Sequence, residues 1–171
     1  MRVEITRPDG SRDELEFKNG DASVTLPSWV GHKLVEREGR SDGAVRLVAE
    51  EADPSRFRSA IEWLLRNEAE MRSVVLFAIH RQYADMQEQY GYEGQEKADW
   101  MPDITQPDDL RELVELRNIH LKDESGGLGE GGAWPTLGFE MECTWDPEHG
   151  CGVLTRGLNA DEVGEADAAF S

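Results

Sequence analysis

Side chains that bind metals or move protons crowd into one short stretch of this chain: Cys143-Thr144-Trp145-Asp146-Pro147-Glu148-His149-Gly150-Cys151-Gly152-Val153. Thiolates and imidazole are soft and borderline ligands suited to zinc, so Cys143, His149 and Cys151 form one candidate metal set. A fourth ligand would come from Asp146, Glu148 or His120. The C-x5-H-x-C spacing matches no recognised zinc signature. Glu148 beside His149 offers an acid and a base, but neighbours on an extended chain point apart and no nucleophile accompanies them. No catalytic residue is assigned, and no cofactor.

Turn chemistry explains the same residues. Asp146 and Pro147 open a turn and Gly150 closes it, because Pro presets φ and Gly accepts positive φ. If 146–150 are the loop of a β-hairpin, Trp145 faces Cys151 and Cys143 faces Val153. Both thiols then lie diagonally across the buried face, and a disulfide between them would need a different register.

The hairpin needs a sheet to hold it. Val3, Ile5, Leu15, Phe17, Val24 and Leu26 alternate with polar neighbours, the period of half-buried strands. Pro8-Asp9-Gly10 and Asn19-Gly20 read as turns between them. A further strand is expected over 44–48, after a turn at Ser41-Asp42-Gly43. The period changes at Asp53-Pro54, an N-cap followed by proline at the first helical position. From Phe57 to Tyr90 apolar residues recur every three or four positions, which predicts one long helix, or two joined near Asn67. Residues 91–107 read as loop, 107–113 as a short capped helix, 116–121 as a strand and 125–135 as a glycine-rich loop. On the strand 136–145, Leu137, Phe139, Met141, Cys143 and Trp145 share one face; Thr136, Glu140, Glu142 and Thr144 share the other. Residues 151–156 return, and an acidic segment closes the chain.

The expected class is α+β: a mainly antiparallel sheet with one long helix, or two, and a short helix packed on one face. A single domain over 1–171 divides into a β-rich part (1–52), a helical part (53–90) and a C-terminal hairpin part (107–171).

The glycine run 126–132 fails as a phosphate loop, because no lysine follows, Glu130 interrupts it and no helix opens after it. His80 and Tyr83 read as core-edge residues, and His32, near Trp29, as a loop or strand-end residue. The chain carries 36 acidic and 18 basic residues, a net charge of −18. Phosphate and anionic lipid repel such a surface, so neither nucleic acid nor membrane is an expected partner, whereas a basic protein would be steered toward it. With two cysteines, no secretory signal at the start and no apolar run near membrane-span length, a cytoplasmic setting is expected.

From 107 onward the chain resembles a group of uncharacterised bacterial domains of unknown function. The resemblance lies in Gly138-Phe139, Cys143, Trp145-Asp146, Glu148-His149-Gly150 and Gly152-Val153, with the closing Gly164-Glu165-Ala166-Asp167 and Phe170. Cys151 departs from the aliphatic residue expected between the two glycines. Some such domains are similar to immunity proteins that neutralise toxins. No catalytic activity carries over from the group, and together with the net charge and the missing nucleophile the resemblance leads to the expectation of a non-enzymatic acidic protein that binds a basic partner. Its expected contact residues are Trp145, Asp146, Glu148 and His149 at the hairpin, with Trp134 as an aromatic anchor. The alternative is a metal-binding or hydrolytic site at Cys143, His149 and Cys151.

Overall fold

The computed structural model describes residues 1–49, 53–122 and 134–170. Strands β1 (Arg2–Thr6) and β2 (Arg12–Glu16) form a two-stranded antiparallel sheet. Asn19 (φ 54°) and Gly20 (φ 88°) then turn the chain into β3, the pair of positive φ values a tight hairpin turn demands. A second sheet runs β3 (Asp21–Thr25), β4 (Ala44–Ala49), β5 (Val114–Leu121), β6 (Thr136–Cys143), β7 (Cys151–Arg156) and β8 (Asn159–Gly164), in that spatial order. Every pairing is antiparallel except β4 with β5. A parallel pair needs a long crossover, and helix α1 (Arg58–Tyr90) lies within it.

One face of this sheet and α1 share the core: Val24, Leu47, Ile119, Phe139 and Val153 join Ile61, Leu64, Met71, Val75 and Ile79. Asp53 caps the entry to the helical segment by accepting from the Ser55 amide. The expected joint near Asn67 is present: its backbone is non-helical (φ −114°, ψ 15°), and its side-chain amide donates to the Trp63 carbonyl at 2.8 Å.

Three local expectations are corrected. Residues 94–100 are not loop but a short helix, α2 (Gly94–Trp100), which buries none of its residues and so has no apolar period to betray it. Residues 159–164 form an edge strand whose exposed residues hide the strand alternation. The hairpin register differs too: Met141 opposes Cys151, and Phe139 opposes Val153. Thr144 donates its amide to Leu113 and its hydroxyl to the Trp100 carbonyl, which keeps the end of β6 with β5 and α2. A slip of an even number of residues preserves the faces, so both thiols remain buried as expected. The predicted glycine loop lies outside the described residues apart from Trp134 and Pro135.

On the sheet's other face, a 3₁₀ segment (Ala166–Phe170) presses onto β6 and β7. A Cβ at Gly138 would stand 1.5 Å from the Ala169 carbonyl oxygen, and one at Gly152 would stand 2.5 Å from that of Glu165. Gly138→Ala should therefore destabilise the protein by about 2 kcal/mol or more, read from the urea midpoint. An unchanged midpoint would contradict this close seating.

Candidate functional site

The 3₁₀ segment covers only part of that second face. Beside it lies a cavity of about 620 Å³ whose strand-borne lining includes Arg46, Glu115, Arg117, Asn118, Glu140 and Glu142. The phase of β5 creates this lining. A register shift between Leu116 and Asn118 places an extra residue, Arg117, in the strand. Before the shift Val114 and Leu116 are core; after it Ile119 and Leu121 are. Glu115, Asn118 and His120 occupy the polar face, and all three are buried.

Buried polar groups need partners, and here they form two connected sets. In one, Arg46 bridges Asn118 (2.7 Å) and Asp21 (3.1 Å), while Glu140 Oε2 lies 2.6 Å from the Asn118 amide and 2.7 Å from His120 Nε2. His120 and Asn118 hold the Glu140 carboxyl below the usual range, outweighing burial. In the other, Glu115 accepts from the Val35 amide (3.0 Å) and Arg117 (3.0 Å), and Arg37 reaches it at 3.5 Å. Arg117 also meets Glu142 Oε1 at 3.3 Å. Glu142 Oε2 is buried without a hydrogen-bond partner. Burial pushes the Glu142 carboxyl above the usual range, Glu36 and Glu115 add to the effect, and Arg117 opposes it. Five glutamates (36, 115, 140, 142 and 148) line the cavity against three arginines (37, 46 and 117), an excess of two negative charges with His149 neutral.

The hairpin tip forms one rim. Asp146 Oδ1 accepts from the His149 amide at 3.0 Å, Oδ2 accepts from the Tyr90 hydroxyl at 2.6 Å, and the Gly150 amide donates to the Asp146 carbonyl at 2.8 Å. His149 Nδ1 lies 3.1 Å from Asp146 Oδ1, and its carbonyl accepts from Ala166, tying the C-terminal segment to the tip. Burial works to raise the Asp146 pKa, but Tyr90 and His149 outweigh it and the net shift is downward. Asp146 in turn raises that of His149.

Sequence reasoning and structure meet at the rim: Glu148 and His149 line the cavity, while Asp146 braces the turn beneath them. The Trp145 ring is only 2% exposed and packs edge-on against Tyr83. It supports the tip from below and offers no contact surface. Trp134 is exposed and meets Trp63 edge-on, away from the cavity lining. Cys143 and Cys151 are in the core, with their thiol pKa values driven up by burial. Among the described residues, the ligand atoms that converge are those of Asp146, His149 and Glu165, all within 4.8 Å of one another; the thiols are not among them. Glu140 and Glu142 were placed on the polar face by strand alternation alone. Their meeting with Arg117, Asn118 and Arg46 depends on strand order, which alternation does not carry.

A family of domains of unknown function, DUF6985, matches residues 19–170. The chain belongs to the DUF6985 family. No curated protein and no solved structure matches it. In this DUF6985 chain the motif residues serve the architecture just described. Gly138 and Gly152 seat the C-terminal segment, Phe139 and Trp145 fill the core, and Asp146 and Gly150 shape the tip.

The His149–Asp146 pair has a pH signature. A raised folded-state pKa stabilises fully below the unfolded value of about 6.5 and loses that contribution as pH rises through the folded value. The wild-type advantage over His149→Gln, from urea midpoints, should shrink with rising pH across that window. Comparing the two proteins cancels His32, whose burial lowers its pKa to about 4. An advantage independent of pH would contradict the pairing. The thiols should resist alkylation in the folded protein and react only after denaturation; rapid labelling of the native protein would contradict their burial.

Proposed function

We propose that the protein is a non-enzymatic interaction protein that binds a basic protein, in the manner of an immunity protein or inhibitor. The observation that carries this reading is the excess of acid at two scales. The whole chain has a net charge of −18, and the cavity on the polar sheet face is lined by five glutamates against three arginines. Long-range charge steers a basic partner in, and local complementarity sets its register. Glu148 and His149 on the rim, with Asp146 behind them, supply polar contacts. Trp134 and Trp100 are exposed, and aromatic residues of this kind commonly carry interface energy. The chain's resemblance to a group of domains, some of them similar to toxin-neutralising immunity proteins, points the same way.

The test is capture of partners from a lysate of the source cells by the tagged chain, with washes at low salt and at roughly 1 M salt, where the screening length falls to about 3 Å. A basic protein recovered near stoichiometry at low salt and released at high salt is the expected result. A partner that is not basic, or one held equally at both salts, would overturn the electrostatic reading.

A further inference from the structure

We infer that an extended, basic segment of the partner docks on the outer edge of β8 as a further strand of the sheet, alongside the exposed stripe of α1. The inference rests on the reading of a basic partner and adds the place where that partner's backbone is held.

β8 ends the six-stranded sheet, and among the described residues no strand pairs with its outer side. An edge of this kind presents backbone N–H and C=O groups to an incoming chain. The space beside it is walled. A groove of about 570 Å³ lies between β8 and a stripe of α1 that includes Val74, Phe77, Ala78, Arg81 and Asp85. These positions recur at the spacing of one helix face. Phe77 is 54% exposed there. On the strand, Val163 opposes the core residue Val153, and Ala160 opposes the buried Thr155. Directly opposed residues share a face, so Ala160 and Val163 lie on the α1 side of the sheet. An added strand continues that face, and every second side chain it carries meets the α1 stripe. Covering the Phe77 ring supplies the apolar part of the binding.

Charge selects the occupant. Asp85, Asp161 and Glu162 line the groove against one arginine, Arg81. Asp161 and Glu162 are the middle of β8. A second copy of this chain, paired β8 to β8 about a two-fold axis, would set them against their own counterparts, and like charges across a strand pair destabilise it. Two chains of charge −18 would also repel as wholes. A basic strand reverses both effects. Glu162 opposes Leu154, on the face away from α1. The segment that fits therefore alternates, with apolar residues toward α1 and Lys or Arg on the other side.

The experiment titrates the isotope-labelled full chain with a capped Lys-Val-Lys-Val-Lys-Val-Lys peptide, whose extended length of about 23 Å matches the six residues of β8. Two counterparts serve as controls: one with its three central amides N-methylated, which keeps side chains and charge but removes the pairing donors, and one with Glu in place of Lys. The lysine peptide should move amides of 159–164 and 74–78 and slow hydrogen exchange within β8. Methylation should weaken binding by about tenfold or more, and the glutamate peptide should be silent. Phe77→Ser should weaken binding by about tenfold. Val30→Ser, at a residue 51% exposed and outside the groove, should leave it near wild type. The methylated peptide tests pairing without altering the protein. Shifts confined to the polar cavity, undiminished binding of the methylated or glutamate peptide, or equal losses from both substitutions would overturn the strand site while leaving the acidic interaction reading standing. So would β8 amides that move with protein concentration alone, the sign of a second copy. Silence of the lysine peptide when the lysate experiment still yields a salt-sensitive basic partner would also overturn the strand site only. Silence in both experiments would overturn both.

Discussion

Contact between the C-terminal 3₁₀ segment and two bare backbone positions governs the second face of the sheet. The Ala169 carbonyl oxygen occupies the space a side chain at Gly138 would need, and the Glu165 and Ala166 carbonyls do the same above Gly152. Because the segment lies directly on the strands, it covers β6 and β7 without a second helix layer. It also carries Glu165 and Ala166 to the hairpin tip, where Ala166 bonds the His149 carbonyl. What it leaves uncovered is the polar cavity.

The cavity gets its character from the extra residue in β5. Without the shift at Arg117, one strict alternation would run the length of the strand, and the polar positions would fall out of step with Glu140 and Glu142 on β6. With it, Glu115, Asn118 and His120 all lie on the polar face beside β6. Neighbouring strands then bring acids, arginines and amides close enough to satisfy nearly all of one another's bonds. Among the described residues, the buried side-chain atoms without partners on this face are His120 Nδ1, Thr136 Oγ1 and Glu142 Oε2. Of these, Glu142 Oε2 belongs to a residue that lines the cavity.

Much of the fold was legible because one period dominated each segment. Val3 and Ile5, then Val24 and Val45, alternate cleanly and are strands. Apolar residues from Ile61 to Tyr83 recur at helical spacing and are α1, with its joint at Asn67. Elements that bury little left no such trace: α2 and β8 are carried by neighbours and backbone bonds rather than by an apolar stripe. Tip residues were legible as a turn, since Asp146, Pro147 and Gly150 are read from local chemistry. The register was not, because it depends on Thr144 reaching Leu113 and Trp100, distant in sequence. The cavity was half legible. Alternation put Glu140 and Glu142 on the polar face, but the parallel β4–β5 pairing that brings Arg46 beside Asn118 has no local signature.

The claim on which the account turns is that the shift at Arg117 closes β5 and β6 around the Glu142 carboxyl, so that burial there outweighs its pairing with Arg117. Its side-chain carbon, followed by NMR as a function of pH, tests this directly. The account predicts that Glu142 titrates above the ordinary glutamate value. A value at or below the ordinary one would contradict it.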